Sequence, residues 1–280
     1  QTLREMTGVG MMDCKKALTE AEGNMDKAVE ILREKGLAAS QKKAGRIAAE
    51  GMAYATVVNG VGVVVEVNAE TDFVGKNEKF VDFVKGVAAV VAANKPADLD
   101  ALMALSYGNG RTVQEEQQEM VLVIGENIKV RRFAFFTDGI SVPYVHAGGK
   151  IGVMVKFDVS DGIADKAEFV ECGHDVAMQI AAINPGYLKR EEVPAAVVEE
   201  EKKILEAQIQ NDEKLKNKPA QVIEKMVTGR VEKFYKENCL AEQDFVKNPD
   251  LTVAQYADEC AKEMGGKIAI TGFVRFALGE

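Results

Sequence analysis

Two histidines, His146 and His174, and four cysteines, Cys14, Cys172, Cys239 and Cys260, are the residues best suited to metal binding or nucleophilic attack in this 280-residue chain. Their arrangement argues against both. No Cys-x-x-Cys pair occurs, so a Cys/His zinc site with motif spacing is absent. A catalytic triad would have only two candidate bases, and no nucleophile stands in a recognised sequence context. Four dispersed free thiols fit a reducing cytoplasm. Gly8-Val9-Gly10 lacks the second Gly-Lys-Ser/Thr element and the preceding strand of a P-loop. Gly148-Gly149-Lys150 falls in a hairpin turn, where glycine relieves positive φ. With no paired acid–base motif, an enzyme is not expected, and no cofactor is implied.

The remaining candidates are residues placed for contact. Met11-Met12 follows a glycine turn and opens a helix; these side chains are either core fillers or flexible apolar contacts for a partner. Lys15 and Lys16 follow, and solvation is the default for both. Glu70-Thr71-Asp72-Phe73-Val74 leaves a hairpin just before a helix. A Phe at such a junction is open to two readings, core residue or exposed wedge. His146 precedes a turn and reads as an exposed loop residue. His174 lies within a helix and reads as structural.

Charge narrows the partners. Lys and Arg total 35 against 44 Asp and Glu, a net charge of −9, so direct nucleic-acid binding is not expected. The apolar run Val87 to Ala93 is too short to span a bilayer, and the first residues do not read as a signal peptide. A hydrophobic content of 47% with 28% charged residues is that of a globular chain, long enough for two or three domains.

Helical spacing organises residues 1–50. Cys14, Ala17, Leu18 and Ala21 form one stripe, and Met25, Ala28, Val29 and Leu32 a second, begun by Asn24 as a cap and ended by Gly36. A third helix is expected over Leu37 to Glu50. The pattern changes at Gly51: Met52 to Val58 and Val61 to Val67 flank Asn59-Gly60, a hairpin signature. A helix from about Asn77 carries Phe80, Phe83, Val84, Val87, Val90 and Val91, and Pro96 ends it. Asp98 to Gln118 reads as partly helical; Met120 to Ile124 and Ile128 to Phe136 read as strands.

The order then repeats. Tyr54, Gly62, Val63 and Val65 match Tyr144, Gly152, Val153 and Val155 at an offset of 90. Ile128, Phe133 and Phe136 match Ile268, Phe273 and Phe276 at an offset of 140. A second hairpin, Ser141 to Phe157, and a helix, Ala167 to Ile183, lie between. The expected fold is therefore α+β: a helical module at 1–50, then two duplicated subdomains at 51–139 and 140–280, each an antiparallel sheet with helices. At the offset of 90, Asp72-Phe73 faces Gly162-Ile163, and an apolar residue in both copies favours a shared packing role for Phe73. An insertion at about 193–238 carries Val198, Leu205, Ile209, Ile223, Met226, Val227, Val231 and Phe234 at near-heptad spacing. It reads as an antiparallel helical hairpin, a short coiled coil, with a second copy of itself as the leading partner if its stripe is left uncovered.

Four segments carry a resemblance. Leu3-Arg4-Glu5-Met6-Thr7-Gly8-Val9-Gly10-Met11-Met12-Asp13-Cys14-Lys15-Lys16-Ala17-Leu18 resembles the opening of the translation elongation factor Ts family. Val67-Asn68-Ala69-Glu70-Thr71-Asp72-Phe73-Val74, Ile124-Gly125-Glu126-Asn127-Ile128-Lys129-Val130-Arg131-Arg132 and His146-Ala147-Gly148-Gly149-Lys150-Ile151-Gly152-Val153 resemble three further signatures, in family order. The insertion resembles the long bacterial form. Ala69 stands where Cys is frequent and Gly75 where Ala is frequent. The match begins several residues into the family pattern and stops at Gly279-Glu280, before the usual short C-terminal segment, so a trimmed chain is expected.

The resemblance implies a cytoplasmic guanine-nucleotide exchange factor for elongation factor Tu. It implies that residues 1–50 are a ubiquitin-associated-like three-helix module. Met11, Met12 and Lys15 would touch the GTPase domain of Tu. Asp72 and Phe73 would insert beside the helices that support its magnesium and phosphate site, which shifts the reading of Phe73 to an exposed wedge. His146 would contact the same domain, with Thr71, Val74, Ile124 and Gly125 in support. The later body would hold the third domain of Tu, and the coiled coil would join two such heterodimers. The alternative is an adaptor that binds a partner without changing nucleotide release.

Overall fold

The computed structural model describes residues 1–280. Its first three helices are α1 (Thr2–Thr7), α2 (Met11–Glu20) and α3 (Met25–Lys43). Gly8, at φ 69°, closes α1 in the left-handed conformation that glycine adopts without steric cost. The Asn24 side chain accepts the Lys27 N–H at 3.0 Å and so starts α3. Leu3, Val9, Cys14, Ala17, Ala28 and Leu32 close a small separate core. The break expected at Gly36 and the helix expected over Leu37 to Glu50 are not found. α3 runs through Gly36 to Lys43, and residues 44–49 are not helical. A Cβ at Gly36 would lie 3.4 Å from the Gln118 carbonyl oxygen. This glycine allows two helices to approach closely; it does not stop one.

Strands β1 (Glu50–Val58) and β2 (Val61–Ala69) form the expected hairpin, with Val58 opposite Val61. Asn59 and Gly60 have φ of 49° and 79°, the doubly positive pair that a tight two-residue turn needs. α4 (Glu78–Asn94) begins at Asn77, whose side chain accepts the Lys79 and Phe80 N–H groups. It buries Phe80, Phe83, Val84, Val87 and Val91 in the largest core. α5 (Leu99–Ala104) and α6 (Val113–Ile124) follow, then β3 (Lys129–Phe136), giving a sheet of order β1-β2-β3.

The strand expected at Met120 to Ile124 is helix. A capping box of Thr112 and Glu115 starts α6, and its last turns lie between two cores. Met120 and Val121 pack into the main core, while Leu122 and Val123 pack against the N-terminal one. A helix buried on two sides reads as a continuous apolar run, which periodicity alone cannot separate from a buried strand.

A second hairpin, β4 (Ile140–His146) and β5 (Ile151–Val159), is followed by α7 (Ala167–Ile183) and later by β8 (Ile268–Ala277), with sheet order β4-β5-β8. Between α7 and β8 lie α8 (Ala195–Asn211), α9 (Ala220–Asn238), β6 (Asp244–Phe245), β7 (Asn248–Thr252) and α10 (Val253–Glu263). β6, β7 and α10 have no counterpart among the expected elements. α8 and α9 pack on one another with Ile209 buried and Val198, Leu205, Val227 and Phe234 half-buried. The chain is thus a mixed helix-and-sheet fold with antiparallel sheets. It divides into two compact units, residues 1–154 with 274–280, and residues 155–273. No helix is long and apolar enough to cross a membrane.

Candidate partner-binding site

Phe73 is the most informative side chain of the first unit. It is 81% exposed, although apolar and bulky. Its backbone, by contrast, is held on both sides. Glu70 N–H and Thr71 N–H both donate to one oxygen of the Glu126 carboxylate at 3.0 Å, and the Thr71 hydroxyl donates to the other at 2.6 Å. In return, the Glu70 carboxylate accepts the Asn127 N–H at 2.6 Å and pairs with Arg46 at 3.4 Å. The Asn127 amide donates to the Arg46 carbonyl at 2.8 Å. After Phe73 the chain makes one 3-10 turn, Val74–Lys76, and enters α4. Val74 and Gly75 are buried, and a Cβ on Gly75 would stand 2.7 Å from the Gly51 carbonyl oxygen. The ring is therefore exposed on a pinned turn. The core reading of Phe73 is overturned, and Asp72 and Thr71 are exposed beside it.

Met11 and Met12 are 66% and 65% exposed, so neither fills the small core. They open α2, with exposed Lys15 one turn on. Met11, Lys15, Leu18, Leu3 and Arg4 line a shallow groove between α1 and α2. The Lys79 ammonium group, on the first turn of α4, donates to the Gly8 carbonyl at 3.3 Å. That contact ties the turn preceding Met11 to the helix that follows Phe73.

His146 ends β4 and is exposed. Its Nδ1 lies 2.7 Å from the Tyr144 hydroxyl, and the two rings are 5.7 Å apart. In the neutral ring, a Tyr hydroxyl donating to Nδ1 leaves the proton on Nε2. The following turn has φ of 50°, 68° and 103° at Ala147, Gly148 and Gly149. Gly149 accepts the Ala53 N–H at 2.7 Å. Gly51, against which Gly75 packs, lies two residues before Ala53. The Phe73 turn and the His146 turn therefore both rest on the start of β1. Val74 is buried and anchors its turn from inside; Ile124 is half-buried at the end of α6, and Gly125 closes that helix with φ 87°.

The comparisons with known proteins bear on the whole chain. A sequence pattern described as "Elongation factor TS" matches residues 70–280. A protein named elongation factor Ts from Syntrophotalea carbinolica is 49% identical over 99% of this chain and 91% of its own length. Proteins of the same name from Clostridioides difficile and Trichlorobacter lovleyi are each 50% identical over 99% of this chain and 90% of theirs.

The chain belongs to the elongation factor Ts family.

The pattern for elongation factor Ts starts at Glu70, the first residue of the Phe73 turn. The helices before it are matched by the whole-length relatives.

Sequence reasoning missed Glu126, Arg46, Lys79 and Tyr144 as organisers of these turns. One signal was available. At the offset of 140 that aligns the returning strands, Glu126 faces Gly266, so the repeat breaks where the first copy gains a carboxylate. The four cysteines form no disulfide. Burial pushes the Cys239 thiol up to about 11 and the Cys172 thiol higher still, so both stay protonated and unreactive at neutral pH.

Proposed function

We propose that this chain is a guanine-nucleotide exchange factor, binding elongation factor Tu with GDP and accelerating GDP release during translation elongation. Membership of the elongation factor Ts family supports the partner. The observation that carries the mechanism is Phe73, an exposed aromatic ring on a backbone already fixed by Glu126 and Glu70. Asp72 and Phe73 act as the wedge. Met11, Met12 and Lys15 dock the helical module on the GTPase domain, and the exposed His146 contacts the same domain. Thr71, Ile124 and Gly125 border that contact, with Val74 anchoring the turn. The later body holds the third domain of Tu. In this reading residues 1–50 are a ubiquitin-associated-like module, 51–139 and 140–280 are the duplicated subdomains, and 193–238 is a coiled coil able to join two heterodimers. The protein acts in the cytoplasm, without cofactor, bond chemistry or direct nucleic-acid contact.

The energetics suit a wedge with supporting anchors. A thousandfold faster release lowers a barrier by about 4 kcal/mol. Burying one Phe supplies roughly 1.5–3 kcal/mol. Phe73 alone falls short, and the two exposed methionines are the natural supplement. Reciprocity also holds: whatever this chain does to GDP affinity, GDP does to the affinity of the chain for Tu. The wedge shifts a helix of Tu, loosens magnesium coordination and disturbs the phosphate contacts. Stopped-flow release of a fluorescent GDP analogue from Tu tests this. Acceleration by the chain, largely lost in Phe73→Ala, is expected. Binding to Tu with no change in release would favour the adaptor reading.

A further inference from the structure

We propose that Glu126 is the positioning residue of the Phe73 wedge, and that the Glu126-Asn127 segment is a clamp that fixes the wedge before any partner arrives. The proposal rests on the exchange-factor reading and adds the element that makes an exposed ring effective. An exposed side chain gains no rigidity from packing. Its direction is set by its backbone, and here a single carboxylate holds the backbone of the two residues at the entry to the turn. Three donors converge on Glu126: the Glu70 and Thr71 N–H groups at 3.0 Å and the Thr71 hydroxyl at 2.6 Å. A charged acceptor makes stronger bonds than a neutral one. The clamp is closed in the reverse direction by Glu70, which accepts the Asn127 N–H at 2.6 Å. The two segments are 55 to 57 residues apart in sequence. They are thus joined carboxylate-to-backbone both ways. Ordering the turn at folding removes that entropy cost from the encounter with a partner.

The second copy shows what the turn does without the clamp. Gly266 occupies the position of Glu126 at the 140 offset, and a Cβ there would collide with the Ile163 side chain. Ile163, the counterpart of Phe73, is 2% exposed. With glycine at this position the apolar residue turns in; with glutamate the backbone is held and the apolar residue stays out.

Release of fluorescent GDP from the partner GTPase tests the proposal with the full chain. Phe73→Ala, Glu126→Ala, Glu126→Gln and the Phe73→Ala, Glu126→Ala double variant are compared. Glu126→Ala is expected to lose about ten- to hundredfold of the acceleration, as a displaced binding group does. Glu126→Gln keeps the acceptor for both N–H groups and can donate to the Thr71 oxygen, so it should stay within about threefold of the parent. The double variant should be no worse than Phe73→Ala, because the clamp acts only through the ring. Amide hydrogen exchange at Glu70 and Thr71 should quicken in Glu126→Ala while the rest of the first sheet keeps its protection. If Glu126→Ala fails to fold, Thr71→Val, which removes one of the three donors, takes its place with a smaller loss. Full acceleration in Glu126→Ala, or an equal loss from Glu126→Ala with and without Phe73, would overturn the clamp. No effect from Phe73→Ala alone would overturn the wedge reading itself, and that variant separates the two failures.

Discussion

The junction after the first hairpin and the junction after the second occupy matching places between hairpin and helix, yet they treat their apolar residue oppositely. Phe73 points into solvent; Ile163 is buried. The cause lies outside both turns, in the chain that leads into each returning strand. In the first copy that chain supplies the Glu126 carboxylate, which binds backbone and leaves the side chain free. In the second it supplies Gly266, whose missing Cβ makes room for Ile163, while Ser160 N–H donates to the Lys267 carbonyl at 3.0 Å. The two units thus share a scaffold, while one turn packs its apolar residue and the other presents it.

Exchanging the roles of the two turns would break that comparison. Ile163→Ala should cost about 2–5 kcal/mol of stability by leaving a cavity, read as a lower midpoint in urea. Exchange per folded molecule should not change; a lost acceleration would show that the second turn also contacts the partner. Phe73→Ala should do the reverse. It removes about 1.5–3 kcal/mol of burial at the partner, or roughly ten- to hundredfold in GDP release, with the urea midpoint unmoved. A stability loss comparable to that of Ile163→Ala would mean that Phe73 packs after all.

Smaller changes sharpen the contrast. Gly266→Ala introduces a Cβ against Ile163 and should destabilise by about 1–3 kcal/mol through overpacking. A neutral result in thermal unfolding would mean that the Ile163 side chain yields without strain. Tyr144→Phe removes the hydroxyl at His146 Nδ1 and should slow exchange a few-fold, on the order of one hydrogen bond. Because both side chains lie at the surface end of β4, stability should stay within about 0.5 kcal/mol of the parent. The same few-fold loss in a His146→Ala background would exclude a role for Tyr144 through the imidazole.

Much of the scaffold was legible from spacing. The Asn59-Gly60 turn announced the first hairpin, because its doubly positive φ is a local requirement. The stripe Phe80, Phe83, Val84, Val87 and Val91 announced α4, because one helix face meets one sheet. Legibility failed where a residue answered to two neighbours. Gly36 looked like a stop but admits the Gln118 backbone. Met120 to Val123 looked like a strand because adjacent residues serve different cores. The candidate site was legible as a set of motifs, and Glu126 and Asn127 stood among the quoted residues, but nothing local gave them a role.

By itself the sequence determined the family, the hairpin–helix–strand repeat and the residues available for contact, since those follow from residue identity and short-range periodicity. Only the tertiary structure decided which of those residues face solvent. Exposure of Phe73 depends on a carboxylate more than fifty positions away, and burial of Ile163 on the absence of a single Cβ about a hundred positions away. Contacts at such separations are set by how the sheets and helices pack, and no window of local sequence contains both partners.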